Sequence, residues 1–182
     1  MRAQFLALVG LAVLIEPVWA DDPPKPSTKI DDLNTLLAAA KKAERATAFI
    51  HEGLPHPANE KAVFDAEKKA KKTIEFGGAL FYQESLVLAF DDYPKLLNSL
   101  LDPATYAVFE NEKKCGGFHP DYEVVFQAGK DEYRFHICFG CHEAKVYGPD
   151  GKAVRADLKK DGYDALAKVL KTYKRNRPDP KD

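Results

Sequence analysis

Two runs of alternating residues in the second half of the chain constrain its fold more than any other feature. Each run places apolar residues at every second position, the spacing of a β-strand with one buried face. Between the runs, Gly129 and Lys130 fit a two-residue hairpin turn that sets Ala128 opposite Asp131. The pattern therefore predicts an antiparallel hairpin. Its apolar positions are Tyr122, Val124 and Phe126, then Tyr133, Phe135, Ile137 and Phe139; the other face of the second strand carries Arg134, His136 and Cys138.

Weaker signals place further strands and helices around this hairpin. The predicted strands cover about residues 46–52, 73–76, 144–147 and 153–158; the predicted helices cover about 30–45, 60–72 (with Asn59 as N-cap) and 92–101, and a last one starts near Gly162. Residues 80–90 fit a strand or a helix, 104–109 a further helical turn, and 174–178 a frayed polar end. The predicted fold class is α+β: an antiparallel β-meander packed against several helices, in a single domain.

The first twenty residues have the pattern of a secretory signal peptide. Arg2 supplies a positive charge, an apolar run follows from Phe5 to Ile15, and cleavage is expected between Ala20 and Asp21. Because the apolar run is short for a bilayer span, no stable membrane insertion is expected after cleavage. The predicted organisation is a signal peptide at 1–20, an extended linker at 21–29, a single α+β domain at 30–178 and a tail at 179–182, in an exported protein that is periplasmic or secreted.

Composition and motifs disfavour several classes of function. The chain has 182 residues, of which 45% are hydrophobic and 30% charged, the mixture of a soluble globular protein. Its formal net charge of −1 provides no broad basic field, so nucleic acid is not expected as a partner. The sequence contains neither a Gly-rich phosphate loop nor a nucleophile-elbow motif. The sequence therefore identifies no catalytic residue, and it favours a protein that is not an enzyme.

Three cysteines stand in and near the predicted hairpin, at Cys115, Cys138 and Cys141. In an oxidising compartment thiols tend to pair, and an odd number leaves one over. In a straight strand, residues three apart lie about 10 Å apart and point to opposite faces, whereas a disulfide needs Cα atoms within about 7 Å. Any joint role for Cys138 and Cys141 therefore requires a turn, which Gly140 would permit.

The predicted hairpin register brings all three cysteines into one neighbourhood. Counting back from the turn, Cys138 faces Asp121 and Cys141 lies near Phe118, while Cys115 is only a short loop away. The predicted cluster comprises Cys115, His119, Cys138, Cys141 and His142.

Two structural chemistries fit this cluster. A disulfide from Cys115 to Cys138 or Cys141 would tie the loop before the hairpin to its second strand and stabilise the fold by about 3 kcal/mol. A tetrahedral zinc site could instead use the three thiolates with His119 or His142. The sequence leaves both open, and either makes the cluster a stabilising centre.

A third chemistry is covalent haem attachment, which would make the protein a mono-haem c-type cytochrome. Residues 138–142 read Cys-Phe-Gly-Cys-His and match the C-x-x-C-H pattern, with His142 as the axial ligand. Met1 is the only methionine, so a second axial ligand would have to be a histidine or be absent. The candidates are His51, His56, His119 and His136.

A thiol–disulfide redox protein is a further alternative. That chemistry places the first cysteine of a C-x-x-C pair at a helix N-terminus, where its pKa falls. Here residues 144–147 continue as a predicted strand, so this reading is weaker than the other three.

Four segments carry a resemblance to a family of exported bacterial proteins that is uncharacterised in function. They are Glu52–His56, Lys114–Tyr122 (which contains CGGFHPDY), Ile137–Glu143 (ICFGCHE) and Tyr173–Pro178. The resemblance implies no activity. It implies that the family role belongs to Cys115, Cys138 and Cys141 and not to His142, which disfavours haem and favours a structural or metal-binding cluster. The sequence thus predicts an exported protein of unknown biochemical function built around three cysteines.

Overall fold

The computed structural model describes residues 25–42 and 46–178. The predicted signal peptide, the first four residues of the linker and the predicted tail lie outside the described residues. Among the described residues, no helix has the length and apolar character needed to cross a membrane.

Nine strands and four α-helices make up the described chain. The strands are β1 (Ala46–Glu52), β2 (Thr73–Phe76), β3 (Ala79–Tyr82), β4 (Leu86–Val87), β5 (Tyr106–Val108), β6 (Tyr122–Ala128), β7 (Asp131–Cys138), β8 (Glu143–Tyr147) and β9 (Ala153–Leu158). The helices are α1 (Ile30–Lys41), α2 (Lys61–Ala70), α3 (Tyr93–Leu101) and α4 (Lys160–Leu170), with a 3₁₀ turn at Pro103–Thr105.

Seven of the strands form one antiparallel sheet in the order β4-β1-β6-β7-β8-β9-β5, and β2 and β3 form a separate hairpin. The strands β6 to β9 are consecutive neighbours, which is a meander. The predicted α+β class is therefore confirmed. The predicted hairpin register is confirmed as well, since Ala128 pairs with Asp131 and Tyr122 with Ile137.

The sheet has one apolar face, which packs against α1, α3 and α4. The alternating residues predicted to be buried, such as Val124, Phe135 and Ile137, are fully buried there beside Leu37 and Leu166 of the helices. Burying one such side chain contributes about 1.5–3 kcal/mol. This apolar core between the sheet and the helices holds the sheet in place, and the site described below lies at one end of that sheet.

The opposite face carries a row of titratable side chains that lie directly across from one another on five neighbouring strands. The pairs follow from the register of β1, β6, β7, β8 and β9. We call this set the polar row; it comprises His51, Glu123, His136, Lys145 and Arg155. The β2–β3 hairpin covers part of it, with the Phe81 ring 4.8 Å from that of His136.

The predicted helical turn at 104–109 is found only at its first two residues. Only Pro103–Thr105 is helical, and the chain then forms the edge strand β5 along β9. Gly162 of α4 explains the close docking of this segment, because a Cβ there would lie 2.7 Å from Thr105 atoms. The pairing is a tertiary effect that local propensity does not encode.

Four smaller points concern the ambiguous stretch, one helix start, the linker and the end of the chain that the structure describes. Residues 80–90, which fitted a strand or a helix, include most of β3 and all of β4. The helix α2 begins after Glu60 as N-cap, one residue later than predicted. Ser27 of the predicted linker forms a parallel bridge with Val154. The end at 174–178 is not frayed, because Glu52 and other carboxylates bind it.

Candidate functional site at the cysteine end of the sheet

A four-residue turn joins β7 to β8 and contains most of the C-x-x-C-H pattern. Cys138 is the last residue of β7 and pairs with Glu143, so that residues 139–142 form the turn. His142 adopts a left-handed conformation with φ of 56°. The turn on which every joint role for Cys138 and Cys141 depended is therefore present.

The turn allows Cys141 to form a disulfide with Cys115, with the two Cα atoms 5.9 Å apart. This separation lies within the usual range for disulfides. The predicted structural disulfide is confirmed, and of the two partners left open for Cys115 the structure selects Cys141. The bridge ties the loop that precedes β6 to the turn after β7. Such a bond is typical of proteins that mature outside the cytoplasm.

Cys138 is left as the free cysteine and is buried, with 3% of its surface exposed. Its sulfur accepts a hydrogen bond from the backbone N–H of Cys141, at 3.2 Å, and another from the backbone N–H of His119. Burial nevertheless raises the pKa of the Cys138 thiol above its ordinary value. The group therefore stays a protonated thiol at neutral pH, a poor nucleophile.

Two histidines lie beside the disulfide. The rings of His56 and His119 are 4.9 Å apart between centroids, and Gly116 lets the loop approach closely, since a Cβ there would lie 2.8 Å from the His56 ring. Burial lowers the pKa of His119 to about 4, and the neighbouring His56 acts in the same direction. Both the packing and the pKa favour a neutral His119 at pH 7.

This depressed pKa predicts a pH-dependent contribution to stability. A histidine with a folded pKa near 4 and an unfolded pKa near 6.5 binds fewer protons in the folded state, so its contribution is complete above about pH 6.5 and is lost as pH falls towards 4. His119→Gln is expected to flatten the fall in unfolding free energy between about pH 7 and about pH 5, as measured by urea denaturation. An unchanged pH slope would contradict the assignment; Lys61→Gln on exposed α2 is the control.

An arginine near the C-terminus links the turn to two distant segments. Arg177 donates to Asp121 Oδ1 and to Glu60 Oε2, both at 2.9 Å. The other oxygen of Asp121 accepts the backbone N–H of Phe139, in the cysteine turn, at 2.7 Å. One chain of charge-assisted hydrogen bonds thus runs from α2 to the turn.

The Glu52 side chain holds the same C-terminal segment in place through hydrogen bonds to its backbone. It is the last residue of β1 and only 1% exposed. Its carboxylate accepts the backbone N–H groups of Arg175, Asn176 and Arg177, at 2.9, 2.6 and 3.4 Å. A buried carboxylate that accepts several N–H bonds is satisfied without a metal or a counter-ion.

All four segments that carry the family resemblance meet at this end of the sheet. Sequence reasoning identified the cysteines and His119, but it missed the residues that hold the segments together. They are Glu52, Glu60, Asp121 and Arg177. Neither periodicity nor spacing marks the contacts of these residues, most of which join positions more than a hundred apart. The segments of the resemblance include three of the four residues but not Glu60.

The oxidised cluster does not fit haem attachment. Both thioether bonds of a c-type haem need free thiols, whereas the sulfur of Cys141 is already bonded to Cys115. The ring of His142, the predicted axial ligand, stacks on Tyr163 of α4 with centroids 4.2 Å apart. Cys141 and His142 are thus held in contacts other than those that a haem would need.

The predicted zinc site uses three thiolates, and the same disulfide removes two of them. Within residues 25–42 and 46–178, no group of three or more His, Cys, Asp or Glu side chains is arranged to hold a metal ion. The predicted ligand set of Cys115, His119, Cys138 and Cys141 therefore stays a prediction for the reduced protein.

Next to the turn, the polar face holds a second cluster of buried charge. Glu143, which pairs with Cys138, is fully buried and accepts two hydrogen bonds from Arg155, at 2.9 and 2.6 Å. Burial raises the pKa of Glu143, and Arg155 opposes that shift. Arg155 also binds Glu112 in the loop before the disulfide. The loop is thus fixed to the sheet by charge as well as by the covalent bond.

Comparison with protein-family models and with curated proteins gives no match. Among solved structures, the chain is similar to a crystal structure provisionally described as a lipoprotein from Clostridium perfringens, with 11% sequence identity and a TM-score of 0.40. The alignment covers 81% of this chain and 99% of that one. Similarity at this level carries no argument about function, and membership of the exported family stays a prediction.

Proposed function

We propose that this chain is an exported protein, periplasmic or secreted, in which the cysteines serve stability and which acts by binding and not by thiol chemistry. The observation that carries the proposal is the state of the three sulfurs. Two are joined in the Cys115–Cys141 disulfide, and the third belongs to a buried thiol with a raised pKa. A thiol of this kind reacts slowly in exchange.

The closest competing function is thiol–disulfide exchange, and one observation favours it: a third cysteine sits at the turn that holds the disulfide. In such a reaction the Cys138 thiolate would attack the Cys141 sulfur, form a Cys138–Cys141 bond and release the Cys115 thiolate. Burial opposes the first step because it disfavours the thiolate. The absence of a helix after Cys141 removes the dipole that lowers the pKa in redox motifs.

Alkylation and insulin reduction separate these two functions. In native exported protein, Cys138 is expected to resist iodoacetamide until denaturant is added, and insulin reduction is expected to stay at the uncatalysed rate. Cys138→Ser, which retains a hydrogen-bond acceptor for the two backbone N–H groups, serves as the matched variant. Catalysed insulin reduction that this substitution abolishes would establish the redox function and overturn the proposal.

A further inference from the structure

A cleft of about 850 Å³ lies on the polar face beside β9, a size suited to a small-molecule ligand. Two stretches of the chain flank it. On one side, Ser27 pairs with Val154 near the start of β9. Farther along β9, the edge strand β5 pairs with residues 156–158. The chain that follows β5, from Phe109 to Glu112, lines the cleft. The cleft contains none of the cysteines.

Two cations of the polar row stand side by side in the cleft. Lys145 and Arg155 are directly opposite in the register of β8 and β9, a pairing of like charges that destabilises a sheet. Carboxylates balance Arg155. Among the residues that the structure describes, the Lys145 amine has no hydrogen bond or ion pair and rests 4.4 Å from the centre of the Phe118 ring. The fold therefore keeps a half-buried cation in this cleft without a directly bonded carboxylate, although Glu143 and Glu112 lie near enough to act on its charge.

The Arg155 guanidinium already holds a carboxylate in the geometry used for ligand carboxylates. One of its edges binds the buried Glu143. Its Nη1 and Nη2 groups donate to the two oxygens of Glu112, at 2.7 and 3.1 Å, so that Nη2 is shared between the two carboxylates. The Glu112 side chain is 74% exposed and sits on a loop, whereas the Arg155 side chain is 12% exposed. A bound carboxylate that makes the same bidentate contact with Arg155 can therefore replace Glu112, whose side chain would turn to solvent.

The charge of the lining favours an anion over a cation. Four cationic side chains line the cleft against two carboxylates; they are Lys25, Lys29, Lys145 and Arg155 against Glu110 and Glu112. Burial and the neighbouring Arg155 both disfavour the charged form of Lys145, whose pKa is lowered. A bound anion would reverse this effect and stabilise the pair of cations.

We propose that the cleft binds a small organic carboxylate, and that Glu112 occupies the position of the ligand's carboxylate group in the ligand-free protein. On binding, the ligand displaces Glu112 from Arg155 and accepts hydrogen bonds from Arg155 and Lys145. The cleft contains no cysteine, so this proposal stands whatever role the cysteines have. It names carboxylates as the class of ligand for the binding function proposed above.

Titration with succinate, followed by amide NMR shifts of the exported, oxidised protein, tests this site. Succinamide, the neutral analogue, is the ligand control, and ionic strength is held constant with chloride. Saturable shifts are expected at residues that line the cleft. Glu112→Gln is expected to tighten binding about threefold to fivefold, because it removes the competing carboxylate. Lys145→Met is expected to weaken binding at least about fivefold, because it removes the cation while it keeps an unbranched side chain beside Phe118.

Lys152→Met is the matched control, since Lys152 is an exposed lysine outside this cleft and should leave the affinity unchanged. Equal shifts with succinamide, shifts that map away from the cleft, or binding that Glu112→Gln weakens would each overturn the proposal. Should Lys145→Met fail to fold, the exposed Glu112→Gln variant decides the question alone.

Discussion

Replacing Cys115 and Cys141 together by serine is expected to lower the free energy of unfolding by about 3.5 kcal/mol, because the bridge closes a loop across 26 positions. The loss arises mainly in the unfolded chain, which regains the entropy that the crosslink removes. In the folded state, the loop before β6 also loses its covalent tie to the turn. Urea denaturation of the oxidised wild type and the double variant measures the difference, and the double variant has no second thiol with which Cys138 could pair.

Cys138→Ser is the control for this experiment. It leaves the disulfide intact and retains an acceptor for the two backbone N–H groups that bind the sulfur. Its expected cost is about 1 kcal/mol, from placing a hydroxyl in a buried position. A double variant as stable as wild type would show that the disulfide is not a stabilising element. A Cys138→Ser variant that loses as much as the double variant would show that the loss is not specific to the bridge.

Glu52→Ala is expected to cost about 3 kcal/mol and to release the C-terminal segment. The substitution removes a carboxylate that accepts three backbone N–H bonds, and those donors must then find water. Release of the segment also breaks the contacts of Arg177 with Asp121 and Glu60, so one change weakens the network around the cysteine turn. Urea denaturation measures the cost, and faster amide exchange at residues 175–177 reports the release.

The matched control is Glu84→Ala. Glu84 also contacts the C-terminal segment, through Arg175 at 3.6 Å, but both side chains are largely exposed. Such a pair contributes between about 0 and 1 kcal/mol, so Glu84→Ala should leave stability and exchange at residues 175–177 nearly unchanged. Equal effects of the two substitutions would mean that burial of Glu52 has no special role.

The sequence predicted the hairpin register well because two independent signals agreed there. Alternation between Tyr122 and Phe126 sets the buried face, and the Gly129–Lys130 turn sets the pairing. Since that register carries Cys115 and the β7–β8 turn to the same end of the sheet, the neighbourhood of the cysteines was predictable. The choice between Cys138 and Cys141 was not, because it depends on the conformation of a four-residue turn.

The rest of the site depends on contacts between distant parts of the chain. Glu52 binds backbone groups 123 to 125 positions away, and Arg177 binds Glu60 across 117 positions. A single polar residue in an irregular tail has no periodic signature, so 174–178 read as frayed. The edge strand β5 escaped notice for the same reason, since its three residues are stabilised by pairing with β9.

The central claim is that the protein, produced in an oxidising compartment, holds one disulfide, between Cys115 and Cys141, and one free thiol at Cys138. Peptide mapping by mass spectrometry tests it directly, with free thiols blocked under denaturing conditions before non-reducing digestion. The account predicts a single crosslinked peptide pair that contains Cys115 and Cys141, and a blocked Cys138. Three blocked cysteines, or a crosslink that includes Cys138, would contradict it.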